Sequence, residues 1–271
     1  MKQRIITGSV LSAGAVLLVY FGGVTFAIVA IFCFCLCLSE EFKALTAAGH
    51  RPIAGPTWLA MGVSIPLALI VGAKVVIPIL LGASVMIVSC VLFRDEPRLE
   101  DALMSVLPLY SIVLPGLCLV SISQVEPLSV QRVMIALLIA VPIAGDTMAY
   151  FVGSAVGGPK MCPQVSPKKT WSGAAAGLVG SALAAVIIRL GASWMCAPTT
   201  VLPTWLACLM IGLLGGVAGQ IGDLFASLIK RHCEIKDFSN IFPGHGGMMD
   251  RLDSILFMSL VLFAYRLLWF G

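Results

Sequence analysis

The sequence predicts an all-α, polytopic integral membrane bundle of about nine transmembrane helices. Three observations predict it. Of 271 residues, 59% are hydrophobic and only 11% are charged, against roughly 25% charged in soluble domains. The mean hydropathy is +1.04. The apolar residues also fall in continuous runs near the roughly 20 residues that a spanning helix needs, rather than in the alternating pattern of strands. An open sheet edge in lipid would leave backbone groups unpaired, so spanning strands are not expected.

Nine segments carry the helices: 5–21, 23–38, 57–73, 75–93, 103–122, 132–155, 173–193, 203–228 and 252–270. The opening Met1-Lys2-Gln3-Arg4 and its apolar run superficially resemble a signal peptide. The next apolar run follows after only Phe21-Gly22-Gly23, with no cleavage region, so the first run is expected to be a retained helix. The break between 57–73 and 75–93 is placed at Gly72-Ala73-Lys74. Segment 39–56 reads as an amphipathic stretch on the membrane surface, and 94–102 as a solvated connector of mixed sign. A single bundle is expected, divisible into N-terminal and middle helices (1–130) and a catalytic region (131–271) with a polar loop.

The basic residues orient the bundle, since Lys and Arg collect on the cytoplasmic side. With nine spans, one side receives Lys2, Arg4, Lys43, Arg51, Arg94, Arg98, Lys160, Lys168, Lys169, Lys230, Arg231, Lys236 and Arg251, which is 13 of 17. Lys74, Arg132, Arg189 and Arg266 fall on the other. The N-terminus is therefore expected in the cytoplasm and the C-terminus outside. The net charge of +4 is too modest and too scattered for a nucleic-acid partner. Nine cysteines, most within apolar runs, read as small hydrophobes rather than disulfides or a metal cluster.

Four groups carry the chemistry. Asp146 lies in the sixth segment, where a carboxylate is costly unless paired or hydrated. Tyr150, four residues on, shares its helical face. The following loop contains Ser166-Pro167-Lys168-Lys169-Thr170-Trp171, whose lysines and hydroxyls suit phosphate oxygens. Asp223 sits near the end of the eighth segment, with Ser227 and Lys230 on the same face. Gly215, Gly216, Gly219 and Gly222 allow a neighbouring helix to approach closely. The fourth group, from Ser227 to Asp253, is the longest polar stretch of the chain. It holds Lys230, Arg231, Lys236, Asp237, His245, Asp250, Arg251 and Asp253. Its turn, Pro243-Gly244-His245-Gly246-Gly247, is expected to aim backbone amides at a ligand. Bases beside acids at a membrane surface point to a metal–triphosphate site, because Mg²⁺ takes one or two carboxylates and completes its shell with phosphate oxygens. Asp223 and Asp250 are the expected metal ligands, with Asp146 and Asp253 in support.

These residues also resemble a known family. Ser227-x-Ile229-Lys230-Arg231, Lys236-Asp237, Ser239 and Phe242-Pro243-x-His245-Gly246-Gly247-Met248-x-Asp250-Arg251-Leu252-Asp253 resemble the signature of phosphatidate cytidylyltransferases (CDP-diacylglycerol synthases). Asp146-Thr147-x-Ala149-Tyr150 and Ser166–Trp171 resemble further family segments. The resemblance covers about 140–253; the first 130 residues match only as apolar helices. Ser172 departs from the acidic residue expected of many relatives. The resemblance implies that CTP and phosphatidate give CDP-diacylglycerol and pyrophosphate. It also implies Mg²⁺ dependence, with K⁺ as a candidate second cation, and a homodimer in a bacterial inner membrane. In that scheme Lys168, Lys169, Lys230, Arg231, Lys236 and Arg251 neutralise phosphates, and Asp237 and His245 orient the turn or a nucleophile. Thr170, Ser166, Ser227, Gly246 and Gly247 complete the substrate side.

Two other readings share part of this pattern. A CTP-dependent lipid kinase of the polyprenol or phytol type would release CDP rather than pyrophosphate. A cation transporter would want its carboxylates near the bilayer midplane, whereas this cluster lies at one end of the spans.

Overall fold

The computed structural model describes residues 2–196 and 202–270; Met1, at the head of the basic opening, lies outside them. Each predicted segment is a helix: α1 Lys2–Phe21, α2 Gly23–Ala47, α3 Gly55–Val71, α4 Val76–Leu92, α5 Leu99–Ile122, α6 Leu128–Val156, α7 Trp171–Met195, α8 Trp205–His232 and α9 Met249–Phe270. Helix α5 contains a π-helical turn at Leu109–Val113, between Pro108 and Pro115, each of which removes a ladder donor.

Fewer of these helices than expected are long and apolar enough to cross a membrane. Among the described residues, six helices are long and apolar enough to span a membrane: α2, α5, α6, α7, α8 and α9. The apolar stretch of α1 runs only Thr7–Phe21, and α3 and α4 have 17 residues each. At 1.5 Å per residue these reach about 22–25 Å, short of the roughly 30 Å hydrocarbon core.

The C-terminal helices pack most closely, α6 on α7, α7 on α8 and α8 on α9. Small residues repeat every fourth position at the α6–α7 contact, Gly145, Ala149 and Gly153 against Gly173, Gly177 and Ser181. A Cβ added at Gly173 would lie 2.7 Å from the Ala149 carbonyl. At Gly222 an added Cβ would lie 2.5 Å from the Asp253 carbonyl of α9. The glycines flanking Asp223 thus serve the close approach that their spacing suggested. On its other side α9 packs against α5 and α2.

Two polar ends bracket this apolar body. At one end α1 meets the polar loop, the Gly8 Cβ position lying 3.8 Å from His245 Nε2. There too Arg94 donates to the Arg51 carbonyl at 2.7 Å, and the Arg51 amide donates to Asp101 at 2.9 Å. At the opposite end Gln131 accepts from the Gly23 amide at 2.6 Å, and Arg266 donates to the Ser121 carbonyl at 2.6 Å. All nine cysteines are free.

Three local expectations are corrected. The stretch 39–47 does not lie on a surface: α2 continues through it, with Glu40 and Glu41 buried at 4% and 0% exposure. Burial follows the stripe Phe34, Cys37, Leu38, Glu41 and Leu45, one face of a helix. Connector 94–102 is not wholly solvated, because Asp101 is buried and anchors Arg51. The loop after α6 contains an antiparallel hairpin, β1 (Lys160–Cys162) and β2 (Ser166–Thr170), the only strands among the described residues. It lies outside the spans, where two short strands can leave their edges to water.

Candidate active site

The hairpin, the end of α8 and the start of α9 bring the sequence-predicted residues together. In β2 successive side chains point to opposite faces, so Lys168 and Lys169 part company. Lys168 is exposed, while Lys169 Nζ reaches Asp223 Oδ2 at 2.5 Å. That ion pair ties the hairpin to α8. Arg231 Nε adds a bond to the Val165 carbonyl at 3.3 Å. Thr170 is buried as the N-cap of α7, accepting from the Gly173 amide at 3.2 Å. Ser172, the position departing from the family pattern, donates to the Gly157 carbonyl and pairs with Thr170.

Three carboxylates from three helices share one electrostatic neighbourhood. Asp146 of α6 lies within reach of the charges of Asp223, Lys169 and Arg251. Asp253 of α9 lies within reach of Asp223, Lys230 and Asp146. Asp223 is partly open, its side chain 30% exposed. Asp253 is buried, and one oxygen accepts from the Ser254 amide at 2.7 Å. Ser227 lies half-buried one turn beyond Asp223. Tyr150 turns outward at 71% exposure, its ring against Phe151; it is not drawn into this cluster.

Asp250 is bonded differently. Oδ1 accepts from Lys230 Nζ at 2.6 Å, and Oδ2 accepts from the amides of Phe238 at 2.8 Å and Gly247 at 3.0 Å. The turn itself is closed by the Phe242 amide to the Gly246 carbonyl and the His245 amide to the Phe242 carbonyl. Gly246 has φ +81°, and a Cβ there would lie 2.9 Å from Asp250 Oδ2 and 3.2 Å from Asp237 Oδ1. Only glycine meets both demands. Arg251, Lys236 and Asp237 are exposed around the turn. His245 is half-buried, and its Nδ1 is buried without a hydrogen-bond partner.

Of the turn's amides, those of His245 and Gly247 are engaged by the protein. Besides Gly247 on Asp250, the Met248 and Met249 amides donate to Glu40 at 3.0 and 2.8 Å. Ser239 Oγ donates to the same carboxylate at 2.5 Å. Sequence reasoning missed Glu40. A signal existed, because it sits on the buried helical stripe beyond Cys37 and Leu38 rather than on an outward face.

Among the described residues no group of three or more His, Cys, Asp and Glu is arranged to hold a metal by itself. The donor set nevertheless fits Mg²⁺ shared with a substrate. Such an ion needs one or two protein carboxylates and takes phosphate oxygens and water for the rest. Asp223, partly open and flanked by Asp146 and Asp253, offers that chemistry.

A family model described as the cytidylyltransferase family matches residues 2–269. Similar curated proteins include a phosphatidate cytidylyltransferase of Bacillus subtilis, 45% identical over 114 residues, 42% of this chain and 39% of that protein. One from Brucella abortus is 37% identical over 135 residues, 48% of this chain and 46% of that protein. One from Rickettsia conorii is 34% identical over 137 residues, 51% of this chain and 59% of that protein. The chain thus spans about half the length of the curated relatives it matches.

Proposed function

Because this chain belongs to the cytidylyltransferase family, we propose that it transfers the cytidylyl group of CTP to phosphatidate, giving CDP-diacylglycerol and pyrophosphate. The observation that carries the reading is the Lys169–Asp223 pair at 2.5 Å. It joins the hairpin to the polar end of α8, beside the loop that Lys230 and Asp250 hold. Bases, carboxylates and an apolar bundle then meet at one surface, where a lipid phosphate and a nucleotide can both arrive.

In this reaction a phosphate oxygen of phosphatidate forms a bond to the α-phosphorus of CTP. The bond from that phosphorus to the bridging oxygen of the β-phosphate breaks, and pyrophosphate carries away the electron pair. The attacking phosphate is already an anion near neutral pH, so no base is required and Ser227 need not act as a nucleophile. The protein's work is positioning and charge neutralisation. Lys169 and Arg231 stand on the hairpin side; Lys230, Lys236 and Arg251 stand on the loop side. Lys168, exposed on the other face of β2, extends the positive surface outward. Asp223 would hold Mg²⁺, with Asp146 and Asp253 beside it. The bound ion would supply neutralisation of triphosphate charge, and K⁺ is proposed as a second cation. Asp250, whose oxygens already accept from three donors, serves here by holding the turn. Asp237 lies against that turn and His245 within it.

We further propose nine crossings, with α1 and the α3–α4 pair tilted or locally thinning the bilayer to make up their length. The active end then faces the cytoplasm of a bacterial inner membrane with the N-terminus, and the protein works as a homodimer. The grouping of the loops after α2, α4, α6 and α8 at one polar end supports this sidedness.

The test is incubation of the purified protein with α-labelled CTP, phosphatidate and Mg²⁺. Label is expected in the lipid product, with stoichiometric pyrophosphate. Label wholly in CDP would instead indicate a lipid kinase, and absence of turnover would turn attention to cation transport.

A further inference from the structure

Glu40 lies near the polar end of α2, in the half of the chain that carries none of the family signature. It is 4% exposed. Its Oε1 accepts from the Met248 amide at 3.0 Å and from Ser239 Oγ at 2.5 Å; its Oε2 accepts from the Met249 amide at 2.8 Å. Helix α9 starts at Met249, so these amides belong to its N-terminus, where donors lack partners within the helix and a negative charge is favoured. A Cβ at Gly247 would lie 2.7 Å from either Glu40 oxygen. The last glycine of the turn therefore makes room for this carboxylate.

Glu40 and Asp250 divide the turn between them. Asp250 takes the amides of Phe238 and Gly247 with Lys230; Glu40 takes the next two amides and the Ser239 hydroxyl. A carboxylate buried against three donors answers a charge and hydrogen-bonding demand, not a demand for volume. We propose that Glu40 is a positioning residue for the transfer reaction. It fixes the turn and the first residues of α9, so that Asp253 and Arg251 stay in the neighbourhood of Asp223 and Asp146. In its effect on turnover the proposal rests on the cytidylyl-transfer reading; in its effect on the turn it does not.

The discriminating variants are Glu40→Gln and Glu40→Asp. Glutamine keeps the size but sets an NH₂ group against a peptide N–H; aspartate keeps the charge on a shorter stem. Three measurements on the full chain in detergent separate the roles: kcat with KM for both substrates, thermal unfolding, and amide hydrogen exchange over 238–250. Glu40→Gln is expected to lower kcat by about 10–100-fold, the usual cost of removing a group that orients a site carboxylate. KM for CTP should move less than about threefold, because the loss falls on the transition state rather than on ground-state binding. Exchange at Met248 and Met249 should accelerate while α8 keeps its protection, and Glu40→Asp should recover part of kcat. Unchanged exchange at those two amides in Glu40→Gln would overturn the proposal. So would a loss of kcat that tracks global unfolding in both variants. Should the wild type yield no nucleotide-linked lipid, the transfer reading fails while the exchange result still decides the role of Glu40.

Discussion

Asp223 and Asp250 are held in opposite ways. Asp250 is buried, with three donors on two oxygens. Asp223 is 30% exposed in its side chain and has one ion pair, to Lys169. From sequence alone they looked equivalent, two acids beside basic residues at a membrane edge. The contrast is between a carboxylate with one oxygen committed to the loop backbone and one with a single ionic partner. Oδ2 of Asp250 cannot turn to a metal without orphaning its two amides, at about 1–3 kcal/mol per buried amide, which leaves only Oδ1, held by Lys230. Lys169, on a short hairpin, can give up Asp223 when phosphates arrive to take its charge.

The largest expected effect is at the open carboxylate. Asp223→Asn should lower turnover by about a thousandfold, the upper range for removing one electrostatic group at a reacting centre. Membrane insertion and the proteolytic protection of 238–249 should persist. Turnover within about tenfold of wild type would remove Asp223 from the metal role and return Asp250 to contention.

Asp250→Asn should come next and should look different. Turnover is expected to fall about a hundredfold, since outer-shell orienting groups usually cost about 10–100-fold. The exchange of the Phe238 and Gly247 amides should rise with it. Loss of turnover with both amides still protected would show that Asp250 acts on the chemistry directly rather than through the loop.

The hairpin sharpens the same contrast with a pair of neighbours. Lys169→Gln should lower kcat/KM for CTP by about 10–100-fold, the worth of a charge-assisted bond. Lys168→Gln, on the exposed face of β2, should cost no more than about threefold, as surface charges contribute little. Equal effects would mean that β2 does not hold its pleat when substrate binds.

The helices were legible because a continuous apolar run has one stable backbone solution in lipid. The number that cross was not, because α1, α3 and α4 fall a turn or two short of the hydrocarbon thickness and local pattern cannot say how a bilayer adapts. The candidate site was legible in the residues from Ser227 to Asp253, since their types and spacing are unusual in an apolar chain. Their division of labour was not. Nothing in the spacing of Asp223 and Asp250 tells which one meets backbone amides. Glu40 is 208 residues from the Met248 amide that it accepts, a distance no local pattern reports. The hairpin escaped notice because two lysines, two hydroxyls and a proline read equally well as a topology-setting loop.

Thr170 offers the smallest and cleanest distinction. Its place beside Lys168 and Lys169 suggests a hydroxyl for phosphate. In the fold it is buried, caps α7 through the Gly173 amide at 3.2 Å, and pairs with Ser172 at 3.1 Å. Removing an N-cap oxygen typically costs about 0.5–2 kcal/mol, which at this size lowers Tm by about 1–8 °C. Thr170→Ala should show that shift, with KM for CTP within about twofold of wild type. Thr170→Ser, which keeps the accepting oxygen, should restore most of Tm. A raised KM without a change in Tm would instead assign the hydroxyl to the substrate. Such a result would mean that the hairpin opens at its base, and that the Lys169–Asp223 pair is one position of a moving element rather than its fixed seat.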